Sequence, residues 1–468
     1  MTQPPAAGDS CLSRIVPELS RFASCLKAAS LPAEALRRAA LAVTDVTGCM
    51  LAGATEPAGR LIVGHVRELG EMPSSTVVGT DVRTSPPLAA LANGTLAHAL
   101  DFDDTLWTYV GHVSASLWPA VLALGEPRRV SGDAGLAAYV AGVEVASALG
   151  CLGHPVQVER GWHGTGTVNT LGAAAAAGNV LGLDEGQMRN ALGIAVSHAA
   201  GTQVNFGTMT KPLHAGRAAR DGVTAALLAQ SGFTAAPDAV TSRAGFLDLF
   251  GRSDSAEEVA KDILGNLGER FALIDPGLAF KIHAACACTH PAVDATLALR
   301  EKNQWSAPDV EEVLCGLTSY ARSQLPFDVP PDNLSAKFSA PYVLAVALTD
   351  GEVGLAQFTE ARYADPGLQA LVRRGRILDL KEFSITGEIP PTAAFVQIRA
   401  RGGRSDGLYC DRPLGDPARP LSEQALVKKF EICASRTLSA GRVKSLGEML
   451  RRFPDLRDIG ELCSALCA

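Results

Sequence analysis

Apolar residues recur every three or four positions along most of the first 250 residues, a pattern that predicts a procession of helices punctuated by glycine and proline. Ile15, Leu19, Phe22 and Leu26 share one face of the first, and a second starts at Pro32 and runs to about Ala52. Pro86 to Leu100 opens with proline, is Ala-rich and is apolar at Leu88, Leu91 and Leu96, again the signature of a helix. Gly132 to Leu149, Gly164 to Leu181 and Asp184 to His198 continue the series, with Asp184 placed to cap the last. Thr76 to Thr80 reads as a short isolated strand.

The period changes after Pro276. Val310 to Ser319 is β-prone, Ala394 to Arg401 alternates apolar with polar, and Gly407 to Cys410 returns after Gly402-Gly403, while Ala336 to Thr349 and Asp365 to Arg374 read as helices between them. Pro413, Pro417 and Pro420 mark a linker, beyond which Ser422 to Cys433, Ser439 to Phe453 and Asp458 to Leu466 are helical again. The expected fold is therefore mainly α with an inserted α+β domain. Residues 1–269 form the first part of a helical domain, 270–410 an α+β lid, and 411–468 a helical return to the first domain.

With 468 residues the chain exceeds an ordinary single domain, and its 46 glycines favour close-packed helices with small residues at their crossings. The formal charge of −7 comes from interspersed acids and bases, and no Lys/Arg block is present to follow a nucleic-acid backbone, so nucleic-acid binding is not expected. Met1 to Asp9 shows no basic stretch leading into an apolar one, and no run is read as reaching the roughly 18 apolar residues of a membrane span. The 11 cysteines, odd in number and scattered from Cys11 to Cys467, fit reduced thiols. A cytoplasmic protein without a membrane partner is the expectation.

Candidate chemistry concentrates in three places. His98-Ala-Leu-Asp-Phe-Asp-Asp-Thr105, followed by Gly111-His112, packs three carboxylates between two imidazoles at the expected end of a helix. Carboxylates are disfavoured there by the helix dipole, which points to a local role beyond folding, although one of the three can cap the next helix. All nine histidines fall between His65 and His290; His112, His163, His214, His283 and His290 lie in turns or helix starts, whereas His65, His98, His154 and His198 look like helix-surface or packing residues. The second place is Gly207-Thr-Met-Thr-Lys-Pro-Leu-His-Ala-Gly-Arg217, with Thr210 as a cap, Pro212 in the first turn, and Lys211 and His214 on neighbouring positions. Cations oppose the dipole at a helix start, so an anionic ligand between them is the physical solution; solvated surface charges are the other reading.

The third place is Phe280-Lys-Ile-His-Ala-Ala-Cys-Ala-Cys-Thr-His290. Its His-x2-Cys-x-Cys-x-His spacing is not a usual zinc pattern, so no metal is expected, and Cys286 is either a perturbed proton donor or a buried structural thiol. Nucleophile elbow, Walker loop and dinucleotide fingerprint are all missing from the sequence, which leaves the chemistry to side chains without a cofactor.

Three motifs together carry a resemblance: the His98 to Thr105 run with Gly111-His112, Phe206 to Ala219, and Ala336-Lys-Phe-Ser-Ala-Pro-Tyr342. They resemble the MmgE/PrpD family of 2-methylcitrate dehydratases, cis-aconitate decarboxylases and iminodisuccinate epimerases, over about residues 12 to 455. The resemblance implies a helical domain built from both chain ends, a smaller α/β lid, a homodimer, and a cofactor-free active site between the domains. By motif the implied residues are Asp101, Thr105, His112, His163, Lys211 and Lys281, with Cys286 where members carry His or Cys. The chain departs from the family at His112-Val113-Ser114, at Leu106 to Val110 and at His283-Ala284, all in turns expected to touch substrate.

The expected mechanism moves a proton at a carbon beside a carboxylate, or loses carbon dioxide from the equivalent position. His112 and His163 act as acid and base, Lys211 and Lys281 clamp the anion, Asp101 orients or electrostatically tunes one imidazole, Cys286 belongs to the catalytic set, and Thr105 and His214 contact the small polycarboxylate substrate. Three functions stay open: a dehydratase or decarboxylase, an epimerase, and a non-catalytic carboxylate-binding protein.

Overall fold

The computed structural model describes residues 10–70 and 72–467. The reading of Met1 to Asp9 lies outside them. The chain is mainly helical with a smaller α/β portion, and among the described residues two hydrophobic cores form. The first joins Ile15, Leu19 and Val46 to Phe430, Leu450 and Ile459, so residues from both chain ends share it. The second is made largely by residues 284–410, with Cys49, Ala52, Leu100, Phe102 and Cys433 contributed from outside that span.

The helices Pro86–His98, Ser114–Arg128, Gly132–Gly153, Gly164–Leu181 and Thr210–Gln230 pack against one another inside the first core. Gly132–Gly153 corrects the expectation that no run is long and apolar enough to span a membrane. It passes by length and composition, and 94% of its apolar window is buried within the protein, the environment of a core helix. Asp184 caps Glu185–His198 in a reciprocal box with Gln187. The expected strand at Thr76 to Thr80 reduces to Ser75–Thr76, paired antiparallel with Arg83–Thr84.

In the smaller α/β portion, four strands lie in the order Gly375–Asp379, Val310–Leu317, Ala394–Ala400, Ser405–Cys410. The first pair is parallel and the other two are antiparallel. Ala394, Val396, Ile398 and Ala400 are buried while Arg399 is exposed, the alternation that marked this strand in the sequence. Gly375–Asp379 was not expected; it is half-exposed and lacks a clear apolar alternation.

Small residues set the helix crossings. A methyl added to Gly216 would sit 2.2 Å from both Leu91 O and Thr95 Oγ1 on Pro86–His98. Gly216→Ala must therefore separate the two helices, and an expected loss of about 1–3 kcal/mol follows from overpacking. Denaturant unfolding measures it; an unchanged midpoint contradicts this account of the crossing.

Candidate active site

The acidic run lies where the chain passes from one core to the other: Leu100 and Phe102 enter the second core, Leu106 and Tyr109 the first. The preceding helix ends at His98, so Asp101, Asp103 and Asp104 occupy an irregular segment beyond it. Asp101 takes a left-handed backbone, φ 51°, a conformation that aspartate tolerates better than most residues. Thr105-Leu106 then pairs antiparallel with Leu278-Ala279, which brings Lys281 alongside Asp101.

Lys281 Nζ donates to Asp101 Oδ1 at 2.6 Å, and Lys211 Nζ donates to the same oxygen at 3.0 Å. The anion that compensates Lys211 is thus the protein's own Asp101. Two ammonium groups thus converge on one carboxylate oxygen, with the ionised Asp103 acting on both of them from further away. Burial alone would raise Asp101, but the two lysines outweigh it and hold the carboxyl well below the usual carboxylate range. Burial lowers Lys211 against the opposing pull of Asp101; for Lys281, Asp101 and Asp103 overcome burial and the ammonium is raised.

Lys211 rides on Thr210–Gln230, which begins one residue earlier than the expected cap allows. Thr210 is the first helical residue and does not cap; Thr208 Oγ1 instead accepts from the Thr210 N–H at 3.2 Å. The ammonium also lies 5.3 and 5.2 Å from the ring centroids of Phe206 and Phe338. Lys211 is 4% exposed, so the solvated-charge reading does not hold.

The imidazoles are fixed by their partners. His112 Nδ1 faces Asp104 O at 2.9 Å and Asp103 Oδ2 at 3.3 Å, and because a carbonyl only accepts, Nδ1 carries the proton. His112 Nε2 is then the bare nitrogen, 3.7 Å from Asp101 Oδ1. His98 Nδ1 donates to Asp103 Oδ1 at 2.8 Å, leaving its Nε2 to accept from Lys211 at 2.8 Å. Asp103 thus orients two imidazoles, the task expected of Asp101. Burial raises Asp103, but His98 and His112 hold it well below its ordinary value. Burial also lowers His112, opposed by Asp103, and brings His98 down to about 3, so both rings are neutral near pH 7.

His163 immediately precedes Gly164–Leu181 and makes no side-chain cap; its Nδ1 lies 3.0 Å from His214 Nδ1, one proton shared between the two. Burial and Lys211 lower His163 well below its ordinary value, and burial with Arg217 brings His214 down to about 4. Asp104 is pushed up to about 7 by burial and accepts from Ser114.

A narrow cavity is lined by Thr105, Trp107, His112, His163, Lys211 and Cys286, with Phe206, Phe338 and Trp162 on its apolar side. Thr105 Oγ1 and Trp107 Nε1 are buried there without a partner, available to a ligand. Asp101 and Lys281 stand behind this lining, and His214, expected at the substrate, stands behind His163. The neighbouring Cys288 thiol lowers Cys286, with burial opposing. In the Leu106 to Val110 turn, Tyr109 points inward: a Cβ at Gly111, Gly150 or Gly164 would fall within 3 Å of its side chain. Trp107 and Val110 are the members of that turn that line the cavity.

The structure does not bring His283 and His290 to this site; they bond Asp294 at 3.0 Å and Ala285 O at 3.3 Å. His98, read from sequence as a packing residue, sits at the centre. The signal was its own position, five residues before a carboxylate in the run it opens. Ring nitrogens of His98, His112 and His163 converge within 4.8 Å, close enough to hold a metal ion. Lys211 already occupies His98 Nε2, and a cation there would face two ammonium groups across Asp101, so the donor set does not suit one.

The chain matches the MmgE/PrpD N-terminal domain over residues 17–259 and the MmgE/PrpD C-terminal domain over residues 283–453. It is 30% identical to the cis-aconitate decarboxylase of Homo sapiens, over 94% of this chain and 92% of that protein. Identity is 26% to the cis-aconitate decarboxylase of Aspergillus terreus, over 98% and 97% of the two chains. It is also 26% to the mitochondrial 2-methylcitrate dehydratase of Yarrowia lipolytica, over 85% and 79%. The protein belongs to the MmgE/PrpD family.

Proposed function

We propose that this protein is a lyase that releases carbon dioxide from cis-aconitate or a close tricarboxylic relative, using its side chains alone. One observation carries the chemistry: two buried ammonium groups share Asp101 Oδ1, and the free nitrogen of a neutral imidazole, His112 Nε2, lies 3.7 Å from that same oxygen. The near full-length similarity to cis-aconitate decarboxylases favours carbon dioxide loss over water loss.

When a carboxylate leaves as carbon dioxide, its bonding electron pair passes to the adjoining unsaturated carboxylate as an enediolate, and one proton is consumed at carbon. Lys211 and Lys281 stabilise that charge in a water-poor cavity. His112 loads a solvent proton on Nε2, as an imidazolium supported by Asp103 and Asp101, and delivers it to carbon. The bound polyanion favours this charged form, offsetting the burial that keeps the ring neutral in the empty site. With Nδ1 committed to His214, His163 presents Nε2 to substrate, and Thr105 hydrogen-bonds a carboxylate. Cys286 contributes a thiol at the cavity wall.

The homodimer implied by the family is part of this proposal, and so is a cytoplasmic setting, which eleven free thiols support. Steady-state turnover of cis-aconitate and of 2-methylcitrate separates the readings. Carbon dioxide from the first, with no water loss from the second, is expected. Dehydration of 2-methylcitrate, inversion without net loss, or binding without turnover assigns the site to another reaction or to none.

A further inference from the structure

Three consecutive backbone carbonyls of the acidic run each accept a hydrogen bond from a different buried lysine. Lys337 Nζ donates to Leu100 O at 2.7 Å, Lys281 Nζ to Asp101 O at 2.9 Å, and Lys429 Nζ to Phe102 O at 2.6 Å. They come from separate parts of the chain: the turn Ser335–Phe338, the segment after Leu278-Ala279, and the helix Glu423–Ala434. Main-chain bonding gives Leu100 to Asp104 little shape of their own: the Asp101 N–H bonds His98 O at 3.1 Å, and the flanking main-chain bonds are Ala99 N–H to Leu96 O before them and the Thr105 strand pair after them. The run's geometry has to be imposed from outside.

Two of the three lysines have a carboxylate as counter-ion: Asp101 for Lys281 and, at 2.8 Å, Asp45 for Lys429. Lys337 has none among the described residues. Its further partners are Ala284 O at 3.3 Å and the face of Phe358, whose centroid lies 4.7 Å from Nζ. Burial pushes its ammonium down to about 8. An apolar side chain would fill this buried position at lower cost than an ammonium without a carboxylate, so packing gives no reason for lysine here. The carbonyls do. The Lys337 main-chain oxygen also accepts from Cys286 N at 3.0 Å, so one residue joins the acidic run to the turn carrying the cavity thiol.

We propose that Lys337, together with Lys429, is a positioning residue that holds the acidic run in its left-handed turn, so that Asp101 meets Lys211 and Lys281 and Asp103 meets His98 and His112. The catalytic part of this inference rests on the function proposed above; the structural part does not.

Lys337→Met keeps length and apolar shape and removes the donors. Its kcat is expected to fall about 10²-fold with KM within about threefold of wild type, the mark of misplaced chemistry rather than lost binding. Lys337→Gln, which keeps one donor for Leu100 O, is expected to recover part of that loss. In a crystal structure of the Met variant, Asp101 should leave positive φ and part from Lys211. Unchanged geometry from Leu100 to Asp104, or a Gln variant no better than Met, overturns the proposal. Should Lys337→Met not fold, Lys429→Met is read by the same criteria. A wild-type protein inactive on cis-aconitate overturns the function and leaves the crystal comparison to decide the positioning role.

Discussion

Asp101→Asn is expected to lower stability by about 3–5 kcal/mol at neutral pH and to abolish turnover, because it removes one partner of a buried ionic group and leaves the others uncompensated. Lys211 and Lys281 both end on Asp101 Oδ1, and both are buried. An amide oxygen in that place accepts hydrogen bonds but carries no charge, so two ammonium groups repel across it. Burial already lowers Lys211, and Asp101 is the principal force holding it up. Without Asp101 it loses its proton more readily, and with it the charge that stabilises an enediolate. The pH dependence has a definite sign. Asp101 is depressed in the folded state, so the stability it contributes is present above its unfolded value of about 4 and is lost as pH falls towards the folded one. The gap between wild type and variant should therefore be full at pH 7 and shrink below about pH 4, as denaturant unfolding across that range would show. A gap that persists unchanged into acid contradicts the ion-pair account.

His112→Gln is expected to cost about 10² to 10⁴ in kcat, the range of a positioned proton carrier, with KM and melting temperature little changed. His112 Nδ1 is committed to Asp104 O and Asp103, and Nε2 alone can load and unload at the cavity. If His112 delivers the proton, kcat must decline as pH rises through its value in the complex. Asp103 favours the imidazolium, so Asp103→Asn moves that decline to lower pH. A kcat that rises with pH through this limb marks His112 as a base and favours water elimination. Retention of near wild-type kcat in His112→Gln removes it from the mechanism.

Much of this site was legible in the sequence because the chemistry was written in local runs. Asp101, Thr105 and His112 lie within twelve residues, and Lys211 lies in one long specific motif. The limits of Gly164–Leu181 were legible to the residue, since glycines bound it at both ends. What escaped depends on contacts between distant segments. His98 looked like a helix residue until Lys211, 113 positions away, was placed on its Nε2. Asp103 and Asp104 carried no assigned role beyond a possible helix cap, yet Asp103 orients both rings and Asp104 supplies the carbonyl that sets the His112 tautomer. Lys337 lies in the Ala336 to Tyr342 motif and Lys429 in none, but neither showed its part at Leu100 and Phe102, which lie 237 and 327 positions away. The cation at a helix start was read as calling for an anionic ligand, and the carboxylate beside Lys211 is the chain's own Asp101.

The most direct test is a carbon and proton NMR time course of cis-aconitate with the purified protein in deuterated water. The account predicts carbon dioxide release with one deuterium delivered to carbon in each product molecule. Water addition or elimination, or deuterium exchange into unconsumed substrate without release of carbon dioxide, contradicts it.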